Sequence, residues 1–114
     1  MALANEQISA LQTAYSDLIN YDSDDATTPI DPRTYQTPDG DRLIHIAALR
    51  GDVDTIKVLL KAGEDINAAG DMNNTPAHYA AAGKWQVLFD FLLQNGADPS
   101  LENEFGLKPG AVWR

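Results

Sequence analysis

The chain has 114 residues, with 17 acidic and 8 basic side chains, a formal net charge of −9 and no cysteine. This length allows a single domain, and an apolar content of 44% is typical of a folded chain. The lack of cysteine excludes disulfides, thiolate catalysis and cysteine-ligated zinc, while the negative charge disfavours nucleic acid and anionic membranes as partners.

The N-terminal segment, residues 1–20, is predicted to form an amphipathic helix over residues 5–20, because its apolar side chains recur at helical spacing. These side chains are Ile8, Leu11, Tyr15, Leu18 and Ile19. The segment lacks the basic start and continuous apolar run of a signal peptide, and no later segment is apolar enough to span a membrane. We therefore expect a cytoplasmic protein with no membrane partner.

Residues 21–37 form a connector rich in acidic residues and proline. Together, residues 1–41 contain eight acidic side chains and a single basic one, Arg33, so most of the net charge lies here. A connector of this length either folds over the surface or carries function. Its acidic run resembles the start of an EF-hand loop, but Thr27 and Arg33 stand where glycine and glutamate are required, which excludes that calcium site.

A 33-residue repeat begins after the connector, over residues 38–69 and 70–102, and a partial third copy occupies residues 103–114. Seven residues of the first copy return at one fixed spacing in the second. They are His45, Ala47, Ala48, Leu59, Leu60, Gly63 and Asp65, which return as His78, Ala80, Ala81, Leu92, Leu93, Gly96 and Asp98. This period is typical of a unit with two short helices and a turn, and we predict helices over 42–49 and 53–62 in the first copy. Thr75 and Pro76 are predicted to start the first helix of the second copy.

The segments GDRLIHIAALRGD (40–52), VLLKAGEDINA (58–68), NTPAHYAA (74–81), FLLQNGADP (91–99) and NEFGLKP (103–109) resemble ankyrin repeats. The resemblance implies an all-α ankyrin-repeat solenoid with an N-terminal capping helix, two full repeats and a partial third. One departure concerns the turn between the helices of the second repeat, where Lys84 takes the usual glycine position and Gly83 is displaced by one residue.

The search for reactive chemistry finds no candidate catalytic, cofactor-binding or metal-binding residues. His45 and His78 hold the same place in successive repeats, where the resemblance implies a hydrogen bond to the turn, and neither has a carboxylate or cysteine at metal-ligand spacing. No serine lies in a nucleophile-elbow context, and the chain has no phosphate-binding glycine loop. We therefore predict a non-enzymatic protein.

Partner binding is placed by the resemblance on the turns between repeats and on the exposed positions of the first helices. By position these residues are Asp39, Asp41, Leu49, Arg50, Asp71, Met72, Asn74, Ala82, Glu104, Phe105 and Leu107. Met72 and Phe105 are apolar side chains at turn tips, which favours their being contact sites. That they are only scattered surface hydrophobic residues is an equally good interpretation.

The connector residues Asp22, Asp24 and Asp25 are predicted to attract a basic partner. Trp85 is expected to pack on Lys84 or the neighbouring repeat.

These observations predict a non-catalytic protein-binding module, monomeric when unbound, whose partner is another protein of basic character. A small, stand-alone acidic ankyrin protein suits an antagonist such as an immunity protein, which would neutralise a nuclease toxin with a positively charged cleft. The alternative is an assembly or self-association element, such as the end of a longer repeat array.

Overall fold

A computed structural model describes residues 2–113, with Trp113 described by its backbone alone, as a stack of helical pairs. Its five α-helices are α1 (Asn5–Ala14), α2 (Leu43–Leu49), α3 (Val53–Lys61), α4 (Pro76–Ala82) and α5 (Gln86–Gln94). Short 3₁₀ helices cover Asp71–Asn73 and Pro109–Trp113. Helix α4 packs between α2 and the second 3₁₀ helix, while α3 and α5 pack against α2 and α4, respectively. The predicted all-α fold is therefore confirmed.

The start of α4 shows how local sequence sets the helix boundaries. Thr75 is the N-cap, and its hydroxyl accepts a hydrogen bond from the His78 backbone amide at 3.4 Å. Pro76 occupies the first helical position. A backbone N–H there would have no acceptor within the helix, so the lack of an N–H in proline costs no hydrogen bond. Both predictions for these residues are confirmed.

The turns between paired helices need a residue with a left-handed backbone. Gly51 has φ of 71° in the first repeat, and Lys84 has φ of 61° in the second. Gly83 instead has an ordinary φ of −79°. The displaced glycine seen in the sequence therefore leaves Lys84 to adopt a conformation that costs a side-chain-bearing residue roughly 1–2 kcal/mol.

The core is built from small residues where helices cross and larger ones between the layers. Ala47, Ala48, Ala80 and Ala81 are completely buried, and their short side chains let α2 and α4 approach closely. The larger buried side chains include Ile44, Ile56, Leu59, Leu88 and Leu92. Burying each such side chain stabilises the fold by about 1.5–3 kcal/mol.

Helix α1 is shorter than predicted, because it ends at Ala14 and not at residue 20. Tyr15 leaves the helical conformation, with φ of −114° and ψ of 33°, and is 98% buried. Its hydroxyl donates a 2.7 Å hydrogen bond to Asp52, the residue that also N-caps α3. Helix α1 therefore ends where the Tyr15 hydroxyl bonds to Asp52, although apolar residues continue at helical spacing up to Ile19.

A second contact joins the N-terminal segment to the first repeat. Arg50 pairs with Asp17 at 2.5 Å, and its guanidinium carbon lies 4.9 Å from the centre of the Tyr15 ring. Together with the buried Leu11, these contacts place α1 on the first repeat as a cap.

The acidic connector is folded over the surface, which is the first of the two alternatives that its length left open. Its residues Ile30, Pro32 and Tyr35 are buried. Gln12 of α1 donates a 2.9 Å hydrogen bond to the Ile30 carbonyl, and Asn20 donates one of 2.9 Å to the Pro29 carbonyl. The connector therefore completes the N-terminal layer of the core.

The Tyr15–Asp52 hydrogen bond yields a test of this capping layer. Tyr15→Phe should lower the free energy of unfolding by about 1–3 kcal/mol, because it removes a hydrogen bond to a carboxylate and preserves the ring packing. Tyr21→Phe is the matched control, since the Tyr21 side chain is 50% exposed. Urea denaturation followed by circular dichroism measures both. Equal stabilities for the two variants would contradict this role of Tyr15.

Candidate functional site

Three turns project from the stack at the 33-residue spacing, and we call them fingers 1, 2 and 3 (residues 37–41, 70–74 and 103–107). Each is closed by a hydrogen bond from the amide of its first residue to the carbonyl of its fifth, at 2.9, 2.8 and 3.0 Å. Gly40, Asn73 and Gly106 share the fourth position and all have positive φ. This backbone requirement explains why glycine or asparagine recurs there.

Asp41 joins finger 1 to finger 2. Its Oδ1 accepts hydrogen bonds from the Asp71 amide at 2.9 Å and the Tyr79 hydroxyl at 2.6 Å. Burial, reinforced by the hydrogen bond to Asp41, raises the pKa of Tyr79. A Cβ on Gly70 would collide with the Asp41 carboxylate. Asp41, predicted as a partner-binding residue, therefore also has a structural role, since its carboxylate links finger 1 to finger 2 and to Tyr79.

Asn103, which was not among the predicted binding residues, joins finger 3 to finger 2. Only 8% exposed, it donates a 2.9 Å hydrogen bond to the Asn74 side-chain oxygen. Its own oxygen accepts from the amides of Phe105 and Leu107 at 2.9 and 3.1 Å. Asn74, predicted as a partner-binding residue, is thus also a structural link.

A signal for Asn103 was present in the repeat register. Asn103 shares its position with Thr37, whose hydroxyl accepts from the Asp41 amide at 3.0 Å. Both side chains place an oxygen inside their own finger, but the different residue types conceal this in the sequence.

His45 and His78 hold the fingers to the helices. Their Nδ1 atoms accept from the amides of Arg42 and Thr75 at 2.8 and 3.0 Å. Their Nε2 atoms therefore carry the proton and donate to the carbonyls of Ala68 and Leu107, at 2.7 and 2.8 Å. Burial lowers the pKa of both imidazoles below 6.5, which favours this neutral form. The predicted hydrogen bonds of the histidines are confirmed, and the bond from His78 also reaches finger 3.

The finger tips expose apolar and acidic side chains together. Met72 is 45% exposed, Phe105 69% and Leu107 40%. The Asp39, Asp71 and Glu104 carboxylates have no hydrogen bond or ion pair among residues 2–113. We call these six residues the fingertip surface.

Met72 has an unusual backbone, with φ of 56° and ψ of 27°. This left-handed conformation is rare for a residue with a long apolar side chain, and backbone strain of this kind clusters at functional sites. The Met72 carbonyl accepts a 2.9 Å hydrogen bond from the Glu104 amide, which fixes fingers 2 and 3 side by side. The two most prominent apolar tips are thus held in one arrangement.

The other predicted binding residues lie away from the fingers. Arg50 is occupied by Asp17, so it is not a free cation. Leu49 and Ala82, near the C-terminal ends of α2 and α4, are exposed. Trp85 donates a 2.7 Å hydrogen bond to the Leu49 carbonyl and covers Gly51, so it packs on the neighbouring repeat as expected.

The three connector carboxylates that were predicted to attract a basic partner differ in their surroundings. Asp25 accepts hydrogen bonds from the Thr27 hydroxyl and amide at 2.7 and 2.9 Å, and these lower the pKa of its carboxyl. Asp22 and Asp24 are exposed and have no side-chain partner in the described part of the chain. Only these two remain fully available to another molecule.

Within residues 2–113, no group of three or more histidine, aspartate or glutamate side chains is arranged to hold a metal ion. No helix in the same range is long and apolar enough to cross a membrane.

The lowered histidine pKa values predict a specific pH dependence of stability. Well above pH 6.5 the imidazoles are neutral in both the folded and the unfolded chain, so their contribution to stability does not change with pH. As the pH falls below 6.5, the unfolded chain takes up protons first, and the free energy of unfolding should decrease until the folded-state pKa values are reached. His78→Ala should lower stability by about 1–3 kcal/mol and reduce this slope below about pH 6.5. Denaturation at several pH values checks it, and an unchanged slope in the variant would contradict it.

Comparisons with known proteins agree with this architecture. The profile of a family described as "Ankyrin repeats (3 copies)" matches residues 2–103, including α1 and the connector. NF-kappa-B inhibitor cactus of Drosophila melanogaster is 40% identical over 65 residues, which are 56% of this chain and 13% of that protein. Protein phosphatase 1 regulatory subunit 27 of Homo sapiens is 32% identical over 72 residues, 63% of this chain and 47% of that protein.

Palmitoyltransferase AKR1 of Lachancea kluyveri is 33% identical over 64 residues, 55% of this chain and 9% of that protein. The chain thus spans less than half the length of each of these three relatives. Since the family profile covers most of the 114 residues, the chain belongs to the ankyrin-repeat family.

Proposed function

We propose that this chain is a non-catalytic protein-binding module and that its fingertip surface contacts the partner. The observation that carries the proposal is the exposure of Met72 and Phe105 on adjacent fingers joined by the Glu104–Met72 hydrogen bond. Exposed apolar side chains in a fixed arrangement lose little conformational freedom on binding. They therefore supply the desolvated contacts that slow dissociation.

A basic partner is supported by the carboxylates around these apolar tips. Asp39, Asp71 and Glu104 are unpaired within the described chain, and the whole chain carries a net charge of −9. Such a field accelerates the arrival of a positively charged protein and repels nucleic acid.

An antagonist role is supported by the names of two relatives. Cactus is named as an inhibitor, and subunit 27 as a regulatory subunit of a phosphatase. We propose by analogy that this chain inhibits a basic protein in the cytoplasm, for example a nuclease toxin whose cleft must be positive to bind its substrate. One copy of the chain would bind one copy of the partner.

The first test identifies the partner by differential capture. Immobilised wild-type protein, Met72→Ala/Phe105→Ala and the control Val87→Ala are exposed to a lysate of the source organism. Val87 is 77% exposed on α5, outside the fingers. A basic protein retained by wild type and by the control, but lost from the double variant, is the expected result. Equal retention of all proteins on the three surfaces would contradict the proposed site.

The second test separates charge from apolar contact, using surface plasmon resonance at two ionic strengths. Met72→Ala/Phe105→Ala should speed dissociation and weaken binding by about 1–4 kcal/mol. Asp39→Asn/Asp71→Asn/Glu104→Gln should slow association and flatten its salt dependence. The matched control, Glu6→Gln/Asp54→Asn/Glu102→Gln, makes the same charge change at exposed positions elsewhere. Salt-insensitive association, with both site variants silent, would mean that the partner uses another face.

A further inference from the structure

A groove of about 700 Å³ lies among α1, α3 and α5, and none of its lining residues belongs to the fingers. Its apolar part is formed by Val58, Leu60 and Phe91, which are half-buried. Such a groove accepts the apolar side chains of a partner segment, provided that the charges at its edge also match.

The charges at this groove are mainly positive, in a chain whose net charge is −9. The Lys57 ammonium lies 5.5 Å from the centre of the Phe91 ring, and neither Lys57 nor Lys61 forms an ion pair among the described residues. Asp54 is the one carboxylate in the lining and is bonded to neither lysine. The groove therefore favours a segment that combines apolar and acidic side chains.

The chain itself exposes such a segment at residues 19–25, which we call the acidic loop. Ile19 and Tyr21 are each 50% exposed, and the carboxylates of Asp22 and Asp24 have no partner within residues 2–113. The loop is preformed, because Asn20 binds the Pro29 carbonyl and the Ser23 and Thr28 hydroxyls are 2.9 Å apart. Preformed segments bind with a smaller loss of conformational entropy.

We propose that the groove of one copy binds the acidic loop of a second copy. Ile19 and Tyr21 would pack on the apolar floor, while Asp22 and Asp24 would pair with Lys57 and Lys61. The loop does not occupy the groove of its own copy, because it is hydrogen-bonded to the connector and Tyr21 lies beside Tyr35, with ring centres 6.4 Å apart. The contact is therefore between copies.

This association is head to tail, since the two contacting surfaces differ. Each added copy leaves one groove and one loop unoccupied, so the assembly grows as a chain unless it closes into a ring. A small interface built on exposed charge pairs is weak and sensitive to salt. The monomer expected from the sequence is then the form at low concentration or high ionic strength. Neither surface includes a fingertip residue, so the proposal goes beyond the proposed function.

Sedimentation velocity over a micromolar to millimolar concentration range tests the proposal at low and high ionic strength. Wild type should associate reversibly at low ionic strength and dissociate at high ionic strength. Lys57→Glu/Lys61→Glu and Asp22→Lys/Asp24→Lys should each lower the association constant by about tenfold or more. The variant with all four substitutions restores the opposite charges in reversed positions, and it should associate again.

Mixing the two double variants gives the sharpest result. The first retains an intact loop that matches the intact groove of the second, and the reversed loop of the second matches the reversed groove of the first. The mixture should therefore associate, although each double variant alone associates weakly. Lys84→Glu/Lys108→Glu is the matched control, because it changes the net charge equally at exposed positions outside the groove. This control should associate like wild type at the same ionic strength.

Monomeric wild type at millimolar concentration and low salt would overturn the proposal. It would also be overturned if Lys57→Glu/Lys61→Glu associated as strongly as wild type, or if the Lys84→Glu/Lys108→Glu control lost association to the same extent as that variant. A mixture of the two double variants that does not associate would overturn it as well. Met72→Ala/Phe105→Ala should self-associate like wild type. Self-association and partner binding by the fingertip surface can therefore fail independently of each other.

Discussion

The stack depends on two neutral histidines that are hydrogen-bonded at both ring nitrogens. Each imidazole accepts an amide hydrogen from the start of its own helix and donates to a carbonyl farther along the chain, at the end of the same repeat for His45 and in the third repeat for His78. Protonation would remove the acceptor at Nδ1 and would place a charge in a buried position. Burial keeps the imidazoles neutral, and neutrality in turn preserves these hydrogen bonds. Neither a cation nor an apolar side chain satisfies both backbone groups in this way.

The position of the fingers follows from these bonds. His78 donates to the Leu107 carbonyl, which is also the acceptor that closes finger 3. Asp41 and Asn103 then link each finger to its neighbour through side-chain hydrogen bonds. Buried polar groups that are fully paired favour a single arrangement, so the exposed Met72 and Phe105 side chains are presented by a backbone with little freedom. The polar network inside the fingers and the apolar tips outside them are two parts of one binding surface.

The 33-residue register and the residue types at its positions were sufficient to predict the helical pairs and the Thr75–Pro76 helix start. These features depend on local backbone preferences, which a sequence displays directly. The early end of α1 and the internal roles of Asp41 and Asn74 were not predicted. Each depends on a hydrogen bond between residues far apart in the sequence, for example 29 positions for Asn74 and Asn103 and 37 for Tyr15 and Asp52. Such pairs are created by stacking and leave no periodic pattern.

Hydrogen exchange on Asn103→Ala tests most directly whether side-chain bonds between units hold the fingers. The substitution removes the acceptor of the Phe105 and Leu107 amides and the link to Asn74, but it retains the backbone bond that closes finger 3. Our account predicts faster exchange at Phe105 and Leu107, with the amides of α2 and α4 close to their wild-type rates. Unchanged exchange at these two amides would contradict it, because finger 3 would then be held by its own backbone alone.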